Sequence, residues 1–498
     1  MNWHPTAPLD QTRPDPADVF AAGLKLHHLA NTAYPIGHLT TMRPYRLPNA
    51  SVQAQAPLAW QGVERLGLYV HVPFCEARCG YCEYCVIDPA LNAQEQDAYF
   101  DLLLDEFELW RQAADTQAKT LVGFDIGGGT PVLPHPAQIE RVVAAARRCF
   151  HLPESVTISI ETTPKIAALQ PEKLNAYFDL GIRRISMGVQ SVSPRLLNEM
   201  GRSATSLAYN RAAAENIRTA GFEKFNVDIM YGFAGQPLQS VEATLRHAIS
   251  LNPDYITLYR MRYKGTRLAG QAGQVTRAEV HAQYALASEL LHAAGYAGTP
   301  GKNTFSRLPG DVGTSDYLTE RVIRGTPYLG LGLGAQSLSE VTLAYNAGAA
   351  DKRLEHYRRM LQEGRLPIQD LYHLSPEAAA AKMISVAFYF GEIHLESFRR
   401  KFGRTLEQMF PAEVQFVLEN GYMEYAAPGG LRLTPAGEPL YNGVIALFYA
   451  GAVQQHLLNI APTPAPPPLG EGKLPKFGDC KRQSRLQSPN FGIQGGKL

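Results

Sequence analysis

Six short apolar segments alternate with amphipathic segments through the middle of the chain, and this alternation limits the fold more than any other feature. The apolar segments, rich in β-forming residues, are 66–72, 120–126, 155–161, 183–189, 225–230 and 255–261. Segments with apolar residues at helical spacing include 94–117, 138–150 and 277–296. Such alternation predicts a parallel sheet covered by helices. Because six units are too few for a closed eight-stranded barrel, we predict an α/β fold with a (βα)6 partial barrel over residues 61–345.

The two flanks of the predicted barrel have a different pattern. Residues 1–60 are Pro-rich and weakly periodic, which predicts an irregular N-terminal arm. Residues 346–460 contain short helical patterns, and "VLENGYMEYAAPGGLRLTPAG" (417–437) predicts a helix followed by a two-stranded wing, as in a small winged-helix-like module. Residues 461–498 are rich in Pro, Gly and Lys and predict a disordered tail.

Composition narrows the class of protein. A chain of 498 residues with 45% hydrophobic content predicts a globular protein with a large core. Its formal net charge of +1 gives no reason to expect a nucleic-acid partner. No apolar run approaches the roughly 20 residues that span a bilayer, and no secretory signal pattern is found. We therefore expect a cytoplasmic protein with reduced cysteines.

Four of the six cysteines lie between Cys75 and Cys85, with the spacing C-x-x-x-C-x-x-C-x-x-C. One loop with closely spaced thiolates is typical of an iron–sulfur cluster. Three ligands on a four-iron cluster would leave one iron open for chemistry. A structural zinc site usually needs a second pair of ligands, and none follows downstream, so zinc and a reactive dithiol are the weaker alternatives.

At this point the sequence resembles a known group of proteins. C-x-x-x-C-x-x-C after the first strand, with Tyr81 before the third cysteine, is similar to the radical S-adenosylmethionine (SAM) superfamily. The segment "YVHVPFC" (69–75) resembles the oxygen-independent coproporphyrinogen III oxidase family, which also includes heme chaperones, methyltransferases and cyclopropanases. The resemblance implies that Cys75, Cys79 and Cys82 bind a 4Fe–4S cluster.

Further motifs follow in the order found in that family, and the resemblance implies that they contact SAM. "GGGTP" (127–131) and Glu161 would hold the amino group, Gln190 and Arg202 the ribose and carboxylate, and Asp228 the ribose hydroxyls. Each residue alone also has a structural interpretation, such as a tight turn or a surface side chain. Their shared order favours the cofactor site, whose implied residues are Tyr69, Tyr81, Gly128, Gly129, Thr130, Glu161, Gln190, Arg202 and Asp228.

The resemblance also implies a reaction in heme biosynthesis. One-electron cleavage of SAM would lead to hydrogen abstraction from a coproporphyrinogen propionate, followed by loss of carbon dioxide. Substrate carboxylates need cations, and "YRMRYKGTR" (259–267) offers Arg260, Arg262 and Lys264, unless these form a solvated rim. We expect a monomer that binds a tetrapyrrole and one or two SAM molecules, with flavodoxin or ferredoxin as electron donor. No catalytic acid or base is identified.

Three features differ from the decarboxylating members of this family. Cys85 follows Cys82 by three positions instead of two, 259–267 is more basic, and "NTAYP" (31–35) only faintly matches a signature of their arm. In addition, heme chaperones of the family begin almost directly at the first strand, whereas about 65 residues precede it here. A methyltransferase or cyclopropanase, and a heme chaperone without substrate radical chemistry, are therefore the alternatives.

Overall fold

Six parallel strands form the centre of the computed structural model, which describes residues 12–87, 93–202 and 204–461. Each strand pairs in parallel with the next along the chain. The strands are β1 (Arg65–Val72), β2 (Thr120–Gly128), β3 (Ile158–Thr162), β4 (Ile182–Gln190), β5 (Lys224–Tyr231) and β6 (Tyr255–Arg260). The predicted α/β fold with a parallel sheet is confirmed, and the C-terminal ends of these strands meet at one edge.

The N-terminal arm is more helical than its composition suggested. It contains α1 (Pro16–Lys25), α2 (His38–Thr41) and α3 (Asn49–Leu58), so the prediction of an irregular segment is wrong over these residues. Proline at the first helical position lacks only an N–H that would be unpaired there anyway. The Asp15 side chain accepts a hydrogen bond from the Ala17 N–H at 2.8 Å and thereby caps α1.

Helices alternate with the six strands. They are α4 (Ala93–Ala114), α5 (Pro136–Cys149), α6 (Pro164–Leu169), α7 (Pro171–Asp179), α8 (Pro194–Glu199), α9 (Asn210–Thr219), α10 (Leu238–Ser250) and α11 (Arg277–Ala293). Side chains spaced three or four residues apart, such as Ile139, Val142 and Val143 of α5, are fully or almost fully buried. A capping box of Thr276 and Glu279 begins α11.

Further strands extend both sides of the parallel sheet. After β7 (Thr304–Ser306), which is antiparallel to β6, come α12 (Asp316–Thr319), a π-helix (Glu320–Arg324) and β8 (Tyr328–Leu331), which is parallel to β1. The sheet continues through β9 (Gln336–Leu338), β10 (Thr342–Asn346) and, after α13 (Leu354–Gln362), β11 (Ile368–His373). Among the described residues the sheet runs from β11 to β7 and stays open, as expected for a partial barrel.

The C-terminal elements begin with α14 (Pro376–Ala387). They continue with β12 (Glu392–His394), α15 (Leu395–Phe402), α16 (Leu406–Met409), α17 (Pro411–Glu419), β13 (Met423–Ala426), β14 (Gly430–Leu433), α18 (Tyr441–Leu447) and α19 (Gly451–Ile460). The helix and hairpin expected at 417–437 correspond to α17, β13 and β14, and the winged-helix interpretation stays a prediction. The predicted tail lies, beyond Ala461, outside the described residues. No helix in the described ranges is long and apolar enough to cross a membrane.

A hydrophobic core shared by the arm and the C-terminal elements joins these two parts of the chain. The Phe20 ring stacks on Tyr422 with 5.0 Å between centroids. Asn442 of α18 donates to the carbonyl of His27 at 2.9 Å and accepts a hydrogen bond from Arg260, the last residue of β6, at 3.0 Å. The arm and the C-terminal elements therefore meet at the edge of the sheet where the strands end.

Candidate cofactor and substrate site

The cysteine loop, residues 73–87, follows β1 at this edge. Gly80, near the middle of the loop, is held from two sides: its N–H donates to the carbonyl of Met200 at 2.8 Å, and its own carbonyl accepts from the Arg267 N–H at 3.0 Å. These partners follow β4 and β6, so the loop is fixed by segments from distant parts of the sheet.

The three cysteines that match the cluster motif are half-buried and free. The Thr130 hydroxyl lies 3.7 Å from Cys75 Sγ, and Arg202 Nε lies 3.5 Å from Cys79 Sγ. Burial, together with the nearby Cys79 and Cys82, raises the pKa of Cys75 to about 11. Three thiols thus share one partly desolvated site, with hydrogen-bond donors directed at two of them.

The spacing of these thiols bears on the kind of metal site. In the described part of the chain, no three His, Cys, Asp or Glu side chains converge closely enough to hold one metal ion. A single zinc ion is bound by ligands about 2.0–2.3 Å from the metal, which requires such convergence. A four-iron cluster is larger than one ion, so its ligands are spread more widely.

Cys85 occupies a different environment from the other three cysteines of the loop. It is only 5% exposed, and its thiol donates to the carbonyl of Gly348 at 3.0 Å. Lys352 Nζ lies 3.8 Å from this sulfur and donates to the carbonyl of Glu83 at 2.8 Å. A Cβ at Gly334 would lie 2.2 Å from the same sulfur. Cys85 is therefore packed against the 334–352 segment.

The glycine-rich loop at the end of β2 packs directly against the start of the cysteine loop. The N–H groups of Gly129 and Thr130 donate to the carbonyls of Val72 and Phe74 at 2.8 and 2.6 Å. A Cβ at Gly129 would lie within 2.8 Å of both carbonyl oxygens, and Gly128 has φ +110°. Close packing therefore requires glycine here, as in a tight turn, and the same absence of side chains lets a ligand approach the backbone.

Three carboxylates in the C-terminal halves of their strands form what we call the acidic wall: Asp125 of β2, Glu161 of β3 and Asp228 of β5. The Ser315 hydroxyl donates to Asp125 at 2.7 Å, and the Ser186 hydroxyl donates to Asp228 at 2.9 Å. Asp125 Oδ1 is buried and has no hydrogen-bond partner. Glu161 interacts electrostatically with both Asp125 and Asp228, so the three groups lie in one region.

The pKa values of all three carboxyl groups of the acidic wall are raised. Glu161 is accessible from the barrel interior, yet protein surrounds it; this desolvation and the charge of Asp228 raise its pKa to about 8, although the Gly128 N–H donates to it at 3.3 Å. Desolvation raises the pKa of Asp125 to about 6 and also raises that of Asp228. A cationic ligand would favour the ionised forms of these groups.

Gln190 and Arg202 lie next to the cysteines. Gln190 has φ +67°, and its buried Oε1 has no hydrogen-bond partner. A Cβ at Gly188 would lie 2.7 Å from Gln190 Nε2, and the Gly188 carbonyl accepts from Arg202 Nη1 at 2.7 Å. The Arg202 guanidinium also lies 5.9 Å from the Tyr81 ring centroid. The structure therefore brings Tyr81, Gln190 and Arg202 together, and their contact with SAM stays a prediction.

Tyr69 lies on β1 beside the acidic wall. Its ring stacks on Tyr317 with 6.0 Å between centroids, and its hydroxyl lies 3.4 Å from His71 Nδ1. Burial, followed by the charge of Glu161, raises the pKa of Tyr69 well above its usual value. His71 itself is buried and hydrogen-bonded to the carbonyl of Cys85 at 2.8 Å, so it fills the interior.

The three predicted substrate cations occupy different environments. Arg262 pairs with Glu83 of the cysteine loop, and its Nη1 lies 3.5 Å from the Tyr389 hydroxyl. Lys264 is exposed. Arg260 makes hydrogen bonds to the neutral partners Asn442 and His27, the latter at 2.6 Å. The structure thus does not bring the three side chains into one cluster.

A small cleft with a cavity volume of about 120 Å³ lies where β6, the arm and the C-terminal elements meet. Residues that line it include His27, His28, Tyr259, Arg260, Arg262 and Tyr389. Two of the three predicted substrate cations, Arg260 and Arg262, therefore line this cleft.

Several interior residues were not identified from the sequence. Tyr84 and Tyr259 are 53% and 38% exposed, yet protein surrounds both rings, so their accessible surface faces the interior. Asp125 could have been found, because it is the one acid in an otherwise apolar strand. Arg321 and Lys382 are interior cations that no motif spacing indicates.

Comparison with known proteins identifies the class of the central segment. Residues 69–248 match the sequence model of the radical SAM superfamily, so the chain carries a radical SAM domain. This segment contains the cysteine loop, the acidic wall and every residue implied to contact SAM.

The chain is similar to proteins with two different names. "Coproporphyrinogen III oxidase, anaerobic 1" of Cereibacter sphaeroides is 27% identical over 80% of this chain and 90% of its own length. "Heme chaperone HemW" of Mycobacterium tuberculosis is 29% identical over 78% and 98%. The structure of coproporphyrinogen III oxidase (HemN) from Escherichia coli matches with a TM-score of 0.66 and 22% identity, covering 79% of this chain and 93% of that one. This last match confirms the fold.

The radical SAM family implies a 4Fe–4S cluster and SAM, and the residues present fit both. Three thiols on one loop have the donor chemistry that a cluster requires. The unpartnered Gln190 Oε1 can accept from a ribose hydroxyl, and the acidic wall can bind an ammonium or sulfonium group.

Proposed function

We propose that this protein is a radical SAM enzyme that decarboxylates propionate side chains of a tetrapyrrole, with coproporphyrinogen III as substrate. One observation carries the proposal: an acidic wall suited to a cationic cofactor lies toward the same end of the sheet as cations and tyrosines suited to a flat polycarboxylate. The relatives named coproporphyrinogen oxidase support the choice of substrate.

In this proposal the thiolates of Cys75, Cys79 and Cys82 would hold the cluster. Glu161 binds the SAM ammonium, Gln190 and Asp228 bind the ribose, and Arg202 binds the carboxylate. Gly128, Gly129 and Thr130 shape the amino-group pocket, and Tyr69 and Tyr81 complete its walls. When bound, the cluster and SAM supply one-electron chemistry for hydrogen abstraction, with flavodoxin or ferredoxin as electron donor.

The residues of this chain position the substrate and exclude water. Arg260 and Arg262 pair with propionates, which directs one propionate toward the SAM site. Loss of one hydrogen atom, carbon dioxide and one electron then converts that propionate into a vinyl group. The electron must pass to an acceptor, and each of two propionates reacts in turn.

An anaerobic turnover assay tests this function. The reconstituted, reduced protein is incubated with SAM and coproporphyrinogen III, and we expect protoporphyrinogen, carbon dioxide and 5′-deoxyadenosine. S-adenosylhomocysteine or a methylated product would instead indicate the methyltransferase or cyclopropanase alternative. An equilibrium titration with SAM gives the number of SAM molecules per chain, and light scattering tests the expected monomer.

A heme chaperone is the second candidate, and one observation favours it. His28 lines the cleft and has a buried Nδ1 without a hydrogen-bond partner. Desolvation lowers its pKa, as does the charge of Arg260, and a neutral imidazole is a metal ligand. Tight heme binding that His28→Ala weakens, with no SAM cleavage in the presence of any tetrapyrrole, would support the chaperone and contradict the enzyme.

A further inference from the structure

Arg321 is an interior cation with an incomplete set of partners. It lies on the π-helix, a type of turn frequently found at functional sites. Its guanidinium stacks over the Tyr328 ring, 4.4 Å from the centroid, and its buried Nε has no hydrogen-bond partner. No carboxylate of the described residues lies within 4.0 Å of it, whereas Arg324 on the same turn pairs with Glu320.

Lys382 is a second interior cation, on α14. It is only 4% exposed, and its Nζ donates to the carbonyl of Tyr34 at 2.8 Å. Desolvation lowers the pKa of this amine to about 7, and the positive charges of Arg321 and Arg262 act in the same direction. Within the described ranges, no carboxylate lies within 4.0 Å of Nζ, so this site lacks a neutralising anion.

The two cations belong to adjoining elements. Gly325, directly after the π-helix, has φ +62°, and a Cβ there would lie 2.7 Å from Met383 Sδ of α14. Arg321 interacts electrostatically with Tyr84 and with Tyr389, so both rings lie in the same region. Arg262 is another cation whose charge acts on Lys382, and it forms an ion pair with Glu83.

We propose that Arg321 and Lys382 bind a carboxylate of the substrate, which has several carboxylates on a flat or cyclic framework. Buried charges are costly without a partner, and a bound carboxylate offsets that cost. The Arg321 guanidinium hydrogen-bonds to the Tyr317 side chain and interacts with the charge of Asp125, but its Nε has no partner and can donate to the carboxylate. The surrounding tyrosines offer apolar faces for the framework. We call Arg321 and Lys382 the cationic wall. This inference rests on the proposed function, because it assigns a further part of the same substrate site.

Fluorescence titration with coproporphyrin III tests the cationic wall on the full-length protein. The tetramethyl ester of this porphyrin, at the same co-solvent concentration, is the matched probe without carboxylates. Arg321→Gln and Lys382→Met should each weaken binding of the acid by about tenfold or more, the loss expected for one charged hydrogen bond. The ester should bind weakly, and neither substitution should change its affinity.

Two further variants separate recognition from stability. Arg324→Gln removes the neighbouring, already paired arginine and should leave affinity unchanged. Arg321→Lys keeps a positive charge and should recover part of the affinity, even if the fork geometry is lost. Thermal unfolding of every variant shows whether the fold is kept.

The outcomes distinguish this inference from the function on which it rests. If folded Arg321→Gln and Lys382→Met bind the acid as the unsubstituted protein does, or if acid and ester bind equally, the cationic wall is wrong. In that case SAM cleavage and carbon dioxide release can still support the enzyme. If the unsubstituted protein binds neither porphyrin, both the tetrapyrrole substrate and the cationic wall are contradicted.

Discussion

The acidic wall and the cationic wall come from different kinds of chain segment. Asp125, Glu161 and Asp228 lie in the C-terminal halves of parallel strands, so the sheet itself places them in one region. Arg321 lies on the π-helix, and Lys382 lies on α14, the first of the C-terminal elements. The acidic wall therefore depends only on the barrel, whereas the cationic wall also requires a C-terminal helix.

The cysteine loop lies between the two walls, and its cysteines should give the largest effects. Cys82→Ser is expected to abolish cluster binding and SAM cleavage, since it removes a proposed ligand. Cys85→Ser should keep the cluster and lose only thermal stability, because its sulfur packs against Gly348 and Lys352. Iron and sulfide analysis with absorbance spectra checks both variants. A folded Cys85→Ser protein without a cluster would contradict the three-ligand assignment.

Glu161→Gln should weaken SAM binding by about tenfold or more, because a charged hydrogen bond to the ammonium is lost. The matched control is Glu172→Gln, an exposed carboxylate on α7. Calorimetric titration gives the affinities. Affinity for coproporphyrin III should stay unchanged in both variants, and a comparable loss for the porphyrin would mean that the walls do not bind separate ligands.

The two walls should respond to pH in opposite directions. Glu161 has a raised pKa of about 8, so the free protein holds its proton at neutral pH, and a cationic ligand must release it. SAM affinity should therefore rise as pH increases toward 8. Lys382 has a lowered pKa of about 7, so its charge, and with it porphyrin affinity, should fall as pH rises through 7.

Titrations at several pH values check this difference. Calorimetric titrations in buffers of different ionisation enthalpy give the number of protons exchanged on binding. Below the folded pKa of Glu161, SAM binding should release a proton. Parallel pH profiles for SAM and porphyrin would show that the two walls do not titrate as described.

Lys264→Ala should have the smallest effect. This side chain is exposed, and exposed ion pairs contribute only about 0–1 kcal/mol and are screened by salt. We expect a change in porphyrin affinity of about twofold or less, vanishing at high salt. A loss as large as that expected for Lys382→Met would place Lys264 among the main carboxylate contacts.

The sequence was most informative about the strands and the candidate site residues that lie on them. The strand positions could be predicted because the hydrophobic period is a local property of the sequence. The order of the family motifs indicated Glu161, Gln190 and Asp228, which lie on β3, β4 and β5. The arm helices were missed, since Val19 and Phe20 are buried only against residues of the distant C-terminal elements.

The cationic wall and the position of Cys85 required the structure for a related reason. Spacing alone grouped Cys85 with the other cysteines, whereas its burial depends on Gly334 and Gly348, which are far away in sequence. Arg321 and Lys382 look like ordinary helical cations until their missing partners are known.

The contact between the arm and α18 has a consequence for the order of events during synthesis. The carbonyl groups of His27 and Ala30 accept hydrogen bonds from Asn442. The arm is synthesised first, so it lacks these contacts until α18 has been synthesised. The six parallel strands and the cysteine loop are synthesised before α18 and α19, while the arm still lacks its partner. The contacts of α1 with α18 and α19 are therefore among the last to be completed, after every segment that carries the cysteines and the acidic wall.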